Sequence, residues 1–280
     1  MRGANAPDRS RLLEGFARIA RRAGDRIMAI YSGAAPVGAA AKADGTPLTE
    51  ADLAAEEAIT AGLAALCPDI PVLSEEGAGA GAPPPGRRFI LVDPLDGTRE
   101  FLGRTDEFTV NIALIEDARP VLGVVLAPAL QGRLWLGDVV AGQAERREAG
   151  AARGTPIRVR PVPAEGLVAV ASRSHRDAET DAFLARLPIA SCRSIGSSLK
   201  FCLVAEGEAD VYPRFGPTME WDTAAGHAVL VAAGGRVATP DGAAFLYGKH
   251  AAGFRNGPFV AWGGGGGAAA AAAGQGAPTM

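Results

Sequence analysis

The chain has 280 residues, 48% of them hydrophobic, which is enough apolar material for one large domain or two smaller ones. Lysine and arginine number 28 against 31 acidic residues, so the net charge of −3 argues against a broad basic surface for nucleic acid. Three cysteines without metal-ligand spacing, no apolar signal core and no apolar run of membrane-spanning length predict a soluble, cytoplasmic protein with reduced thiols.

Two helices are predicted in the first part of the chain. Apolar residues recur at helical spacing from Asp8 to Tyr31, which is typical of a packing helix. The pair Asp44-Gly45 then indicates a hairpin or tight turn. Next, Thr49 is a predicted N-cap, with Asp52 in the capping-box position of a helix that runs to about Leu66. Spacing alone favours capping as the role of Asp52, and the alternative is that Asp52 holds or deprotonates a water molecule.

Carboxylates follow the next two predicted strands. The strand 70–73 leads to Glu75 and Glu76, of which at most one is expected to be a direct ligand, because successive strand side chains point to opposite faces. The apolar strand 89–92 leads to the turn Asp93-Pro94-Leu95-Asp96-Gly97-Thr98. Carboxylates clustered in a tight turn suit Mg²⁺, and nearby backbone N–H groups suit a phosphate. Considered alone, the turn is explained equally well by two Asp side chains that bond to the local backbone.

The remaining elements divide the chain. A β-rich meander from residue 108 to residue 136 completes the first half, and the segment 137–154 is predicted to be irregular. Alternating strands and helices then predict a smaller α/β unit. We therefore expect an α+β metal and phosphate half at residues 1–160, an α/β substrate half at residues 161–262 and a disordered Gly/Ala tail at residues 263–280.

Polar residues of the second half have two interpretations each. Asp222 lies in the first turn of a predicted helix, where it either complements the helix dipole or supplies a third carboxylate arm to the Asp93–Thr98 turn. His175 follows a strand end and is either structural or a ligand-binding residue. Lys200, with the Ser197 hydroxyl and Arg214, forms a candidate site for a second phosphate. The alternative for Lys200 is a surface side chain that extends into water.

Four segments together resemble the inositol monophosphatase superfamily of metal-dependent, lithium-sensitive phosphatases. They are Lys42–Asp52, Leu73–Glu76, Asp93–Phe101 and Trp221–Gly226. Three further segments resemble the bacterial 3′(2′),5′-bisphosphate nucleotidases of that superfamily, namely Ser172–His175, Gly196–Phe201 and Tyr212–Pro217. The resemblance runs in matching order from about residue 10 to about residue 260.

The resemblance implies an αβαβα sandwich of mixed α+β and α/β class, and it implies a role for each matching residue. Two or three Mg²⁺ ions would be bound by Glu75, Asp93, the Leu95 carbonyl, Asp96 and Asp222. The attacking water would be oriented and deprotonated by Asp52 and Thr98. The scissile phosphate would be held by the Gly97 and Thr98 amides, and the nucleotide with its other phosphate by His175, Ser197, Lys200 and Arg214.

The implied reaction is hydrolysis of adenosine 3′,5′-bisphosphate, a by-product of sulfate assimilation, to AMP and phosphate. No residue is placed as a covalent nucleophile, so direct attack by water is the expected mechanism. Hydrolysis of 3′-phosphoadenylyl sulfate is left open, as are a monomer or a homodimer and association with the inner face of the membrane. The alternatives are an inositol or fructose-1,6-bisphosphate phosphatase and a non-catalytic metal and nucleotide sensor.

Two positions depart from the usual family pattern. Arg99 stands where relatives often have lysine, a change that keeps the positive charge. Glu220 stands where relatives often carry an uncharged residue, and it is expected either to perturb metal affinity or to face solvent.

Overall fold

The computed structural model describes residues 8–33, 38–41, 47–77, 86–151 and 153–265. The helices are α1 Arg9–Tyr31, α2 Glu50–Leu66, α3 Thr98–Leu102, α4 Ala178–Leu184, α5 Leu199–Ala205 and α6 Glu220–Ala232, with a short 3₁₀ turn at His250–Ala252. None of the described helices is both long and apolar enough to cross a membrane.

Among the described residues, sixteen strands form two main sheets and two ribbons. The strands of the first half are β1 Ala39–Ala41, β2 Pro47–Thr49, β3 Val72–Ser74, β4 Arg88–Asp96, β5 Thr109–Glu116, β6 Arg119–Ala127, β7 Arg133–Asp138, β8 Gln143–Arg147 and β9 Thr155–Pro156. Those of the second half are β10 Leu167–Ser172, β11 Ile189–Ile195, β12 Val211–Arg214, β13 Thr218–Met219, β14 Arg236–Ala238, β15 Arg255–Asn256 and β16 Phe259–Trp262.

The larger sheet has seven strands in chain order from β3 to β9, and every neighbouring pair is antiparallel except β3 with β4. The smaller sheet has the order β11-β10-β12-β16-β14, with its first three strands parallel and β16 antiparallel to both of its neighbours. The ribbons β1–β2 and β13–β15 are both antiparallel. The second half therefore has the predicted α/β character, although its sheet is mixed.

The two sheets and the helices stack in five layers. Strand alternation decides which residues meet which helices: Ile90 and Val92 of β4 pack in one cluster with α1 and α2, whereas Phe89 and Leu91 pack on the other face with α5 and α6. The opposite side of α5 meets the smaller sheet, for example where Phe201 stacks on Phe259. Helix α4 covers the outer face of that sheet through Leu184. The predicted αβαβα sandwich is confirmed.

The sequence prediction of an irregular segment at 137–154 is wrong, because β8 lies within it. The pattern was hidden because β8 is near the edge of its sheet and buries only Ala144, while Arg147 pairs with Glu14 and Glu145 instead of contributing an apolar face. The Asp44-Gly45 turn and most of the predicted tail lie outside the described residues, although β1 and β2 pair as a hairpin would. The boundary near residue 160 stays a prediction.

Helix α6 approaches the larger sheet closely at Gly123 on β6. A Cβ atom there would lie 2.4 Å from the Ala225 carbonyl oxygen and 2.6 Å from the Ala228 Cβ. We therefore expect Gly123→Ala to lower the free energy of unfolding by about 1–3 kcal/mol, because α6 has to move away from the sheet. Urea unfolding provides the measurement. The control is Gly257→Ala, where no atom lies within 4 Å of the added carbon; equal effects of the two changes would contradict this packing account.

Candidate active site

A pocket of about 330 Å³ is lined by residues from both halves of the chain. Its wall includes nearly every residue that the sequence singled out, namely Glu75, Asp93, Leu95, Asp96, Gly97, Thr98, His175, Ser197, Lys200, Arg214 and Asp222. Asp52 lies just behind this wall, where its Oδ1 accepts a hydrogen bond of 3.3 Å from the Thr98 hydroxyl. Glu76 is not among the lining residues, whereas its neighbour Glu75 is.

The end of β4 shapes the pocket floor. Pairing with β5 shifts register between Asp93 and Asp96, so the turn leaves the regular ladder where Pro94 lacks an N–H group. Gly97 then adopts a φ of 94°, which a residue with a Cβ rarely does, and α3 begins at Thr98. Asp93 Oδ1 accepts from the Leu95 amide at 3.1 Å, so the local backbone interpretation holds for one of its oxygens.

Asp52 caps α2 and also contacts the pocket wall, while its role toward a water molecule stays a prediction. It is buried and closes the capping box of α2, with its Oδ2 accepting from the Thr49 amide at 2.7 Å. Its other oxygen faces the Thr98 hydroxyl. That hydroxyl also lies 3.3 Å from the Leu95 carbonyl oxygen. Capping thus fixes the carboxylate in an orientation in which one oxygen points to the pocket wall.

Two of the pocket carboxyl groups are difficult to ionise. Burial, opposed in part by the Lys200 ammonium, raises the pKa of Asp96 to about 6, and the nearby Glu100 carboxylate contributes. Burial and the neighbouring Asp96 also raise the pKa of Asp222 well above its ordinary value. The carboxylate oxygens of the pocket are hard ligands, and the charged forms of Asp96 and Asp222 are unfavourable there. Such a set of ligands fits a divalent cation such as Mg²⁺. As arranged, the described residues contain no group of three or more His, Cys, Asp or Glu side chains close enough to hold one ion.

Lys200 and Arg214 supply buried positive charge. The surface interpretation of Lys200 is wrong, because the side chain is only 3% exposed. Its ammonium donates to the carbonyl oxygens of Ile195 and Ser197 and lies 5.1 Å from the Tyr212 ring centre. Burial lowers the pKa of Lys200 to about 8. These carbonyls account for a lysine in the first turn of α5, so a bound anion is not needed to explain it.

The Arg214 guanidinium is similarly engaged. It donates to the backbone carbonyls of Gly216 at 3.1 Å, His175 at 3.3 Å and Pro217 at 2.9 Å. It therefore braces the loop that carries His175, whose own side chain is exposed at the pocket.

Sequence reasoning missed a polar layer beneath Asp96. Thr109 and Asn111 lie 3.5 and 3.3 Å from Asp96 Oδ2, and both bond to the Ser198 hydroxyl, at 2.9 and 2.7 Å. The signal was present, since these two residues are polar at alternate positions of an otherwise apolar strand. Glu100, buried beside the pocket and bonded by the Ser174 hydroxyl at 2.7 Å, was also missed.

Glu220 behaves differently from either expectation. It is fully buried, and its carboxylate accepts from the Gly248 and Lys249 amides at 2.8 Å each and from the Lys249 ammonium at 3.2 Å. It therefore neither faces solvent nor lines the pocket. Its role is to fasten the segment 246–249 to the start of α6.

Known proteins are similar to this chain in both sequence and fold. The model of the inositol monophosphatase family matches residues 8–271. The chain belongs to the inositol monophosphatase family. Members of this family are metal-dependent, in agreement with the carboxylate floor of the pocket.

Two curated relatives illustrate the degree of similarity. The 3′(2′),5′-bisphosphate nucleotidase CysQ of Salmonella typhimurium is 51% identical over 233 residues, which cover 81% of this chain and 89% of that protein. The CysQ of Buchnera aphidicola is 40% identical over 260 residues, which cover 90% of this chain and 93% of that protein.

Solved structures of family members have the same fold. CysQ from Bacteroides thetaiotaomicron superposes with a TM-score of 0.74 at 38% identity, over 89% of this chain and 97% of that one. An IMPase from Thermotoga maritima also gives 0.74, at 24% identity, over 94% of this chain and 96% of that one.

The raised pKa of Asp96 predicts an unusual stability profile. After EDTA has removed divalent metal, the free energy of unfolding of this protein should be about 1 kcal/mol higher at pH 5 than at pH 7. The reason is that the folded state binds the Asp96 proton more tightly than the unfolded chain does. Stability of this origin is lost as pH rises through about 6. Added Mg²⁺ competes with the proton, so it should raise the Tm more at pH 7 than at pH 5. An equal rise in Tm with Mg²⁺ at both pH values would contradict the assignment of the raised pKa to Asp96. The change Asp96→Asn should remove much of the difference in stability between pH 7 and pH 5.

The double role of Asp52 predicts that Asp52→Asn has two separable effects. The amide oxygen of Asn can still accept from the Thr49 N–H group, so the loss of stability should be less than about 1 kcal/mol. Loss of the carboxylate beside Thr98 should reduce kcat by about 10²–10⁴-fold. The control is Asp8→Ala, which removes the N-cap of α1 far from the pocket wall and should lower stability without changing kcat. A near-normal kcat for Asp52→Asn would leave this residue with capping alone.

Proposed function

We propose that the protein is a Mg²⁺-dependent 3′(2′),5′-bisphosphate nucleotidase that hydrolyses adenosine 3′,5′-bisphosphate to AMP and phosphate. The observation that carries the proposal is the joining, in one pocket, of a carboxylate floor with a wall of cationic side chains from the second half of the chain. The similarity to relatives named 3′(2′),5′-bisphosphate nucleotidase supports it.

The metal ligands in this proposal are Glu75, Asp93, Asp96, Asp222 and the Leu95 carbonyl, which would hold two or three Mg²⁺ ions. When bound, Mg²⁺ supplies charge neutralisation for the phosphate and a lowered pKa for water. The polar layer formed by Thr109, Asn111 and Ser198 fixes the orientation of Asp96. Asp222 is fixed in turn, since its Oδ2 accepts from the Met219 amide at 2.8 Å.

The Asp52–Thr98 pair positions the nucleophile. The Thr98 hydroxyl orients a water molecule on the pocket side, and its hydrogen bond to Asp52 provides a route for the proton that the water loses. The water oxygen bonds to phosphorus while the bond from phosphorus to the ribose 3′-oxygen breaks, and the leaving oxygen takes a proton from solvent. The charge that develops on the phosphate oxygens faces the Gly97 and Thr98 amides at the start of α3.

The cationic wall selects a substrate with a second anionic group. Lys200 and Arg214 are buried and contribute a fixed positive field, while Ser197 and His175 lie on the same wall. An inositol monophosphate has no second phosphate to meet that field. The non-catalytic alternative requires a missing catalytic group, whereas each candidate residue is present.

The deciding measurement is phosphate release with Mg²⁺, with and without Li⁺, from four substrates in parallel. They are adenosine 3′,5′-bisphosphate, 3′-phosphoadenylyl sulfate, inositol 1-phosphate and fructose 1,6-bisphosphate. We expect the highest kcat/KM for adenosine 3′,5′-bisphosphate and inhibition by Li⁺. Preference for a sugar phosphate would refute the nucleotide assignment and leave the metal centre, and no turnover of any substrate would favour the sensor.

The metal assignment is tested by Asp96→Asn. The neutral amide cannot replace a carboxylate ligand, so we expect phosphate release to fall by more than about 10³-fold. Because ionised Asp96 is difficult to accommodate, the folded state should be retained, as circular dichroism and urea unfolding would show. Turnover like that of the unmodified protein would remove Asp96 from the ligand set.

We also propose that the protein is cytoplasmic and that the chain divides into two parts near residue 160. Both halves would then contribute to catalysis, since the pocket wall draws on each.

A further inference from the structure

Arg255 lies at the pocket on the short ribbon β13–β15. It is directly opposite Met219 in that antiparallel pair, so the two side chains share one face of the ribbon. Met219 precedes α6 and its amide binds the Asp222 carboxylate. Arg255 is therefore placed beside the candidate metal floor by backbone pairing. The sequence offered no motif that would have marked it.

The backbone that carries Arg255 is firmly held. The next residue, Asn256, donates from its amide nitrogen to the Met219 carbonyl at 2.7 Å and to the Thr223 hydroxyl at 3.1 Å, and accepts from the Lys249 ammonium at 3.0 Å. The preceding residue, Phe254, is buried and its carbonyl accepts from the Glu220 amide at 2.9 Å. The ribbon is thus a firmly held base for the Arg255 side chain, which lines the pocket together with Thr218 and Met219.

The other cations of the second-half wall are already engaged by the protein. The Lys200 ammonium is held by two backbone carbonyls, and Arg214 donates to three. Arg255 is exposed, and within the described residues it forms no ion pair and no side-chain hydrogen bond. Its guanidinium donors are therefore not taken up by the described residues, and a guanidinium at the pocket suits bidentate binding of a phosphate.

Arg99, the other exposed arginine of the pocket, follows Thr98 directly in α3. That location places it beside the group that would meet the scissile phosphate. Arg255 is on the second half of the chain, with Thr218 and Pro217 as neighbouring lining residues.

We propose that Arg255 binds the second phosphate of the nucleotide and determines the preference for bisphosphates over monophosphates. The buried Lys200 and Arg214 then set the field of the wall, and Arg255 makes the direct contact. This inference depends on the proposed function.

The test compares kcat/KM for adenosine 3′,5′-bisphosphate with kcat/KM for adenosine 3′-monophosphate in the intact protein and in Arg255→Ala. A charge-assisted contact to the second phosphate predicts a loss of about 10–100-fold for the bisphosphate, mostly in KM, and little change for the monophosphate. Arg255→Lys should keep part of the preference, because it retains the charge and loses the planar fork. The matched control is Arg236→Ala, which removes an exposed arginine of the same half that does not line the pocket.

Inhibition by products gives a readout of the contact that does not depend on turnover of a second substrate. AMP carries only the 5′-phosphate, so Arg255→Ala should raise its inhibition constant about 10–100-fold. Inorganic phosphate occupies the scissile position, so its inhibition constant should not change.

Each other outcome overturns the inference. Equal losses for both substrates would place Arg255 against the nucleoside, and no loss for either would leave it without a substrate contact. If the unmodified protein hydrolyses neither nucleotide, the proposed function itself fails, which is a result distinct from a normal bisphosphate preference in Arg255→Ala.

Discussion

Two carboxyl groups buried at one pocket are the constraint on which this molecule depends. Asp96 and Asp222 come from elements far apart in sequence, the end of β4 and the start of α6, yet Asp96 helps to raise the pKa of Asp222, and burial raises the pKa of both. Separate anchors hold them: a polar layer on β5 and α5 for Asp96, and the Met219 amide for Asp222. The surrounding fold therefore holds both carboxyl groups where ionisation is unfavourable, and a bound cation would favour their ionised form.

The layered architecture makes this placement possible. Helix α6 lies between the two sheets and approaches the larger one at Gly123 and Gly137, where added Cβ atoms would meet its backbone at 2.4 and 2.7 Å. That close approach brings the first turn of α6 to the level of the β4 turn. The core that surrounds α6 draws residues from both halves of the chain, so packing energy and site geometry have the same origin.

The five-layer fold and most of the pocket residues could be predicted from the sequence because they depend on local patterns. Helical periodicity located α1, and the capping box located α2 with Asp52 at its start. What escaped prediction depends on tertiary contact. Strand β8 has few buried residues, β13 and β15 have two residues each, and Lys200 packs beside the ring of Tyr212, which belongs to a different element. Glu220 likewise gave no sign of its partner Lys249, which lies 29 residues away.

Glu220 also connects the start of α6 with the ribbon β13–β15 through hydrogen bonds. Its carboxylate binds Lys249, the Lys249 ammonium binds Asn256, and Asn256 binds the Met219 carbonyl, whose own amide holds Asp222. This hydrogen-bonded chain therefore fixes the Asp222 carboxylate and, through the same ribbon, the base of Arg255. Because both depend on one set of bonds, the proposed roles would make the separation between the scissile phosphate and the contact for the second phosphate a property of the fold. A substrate would then be selected by the spacing of its two phosphates as well as by their charge.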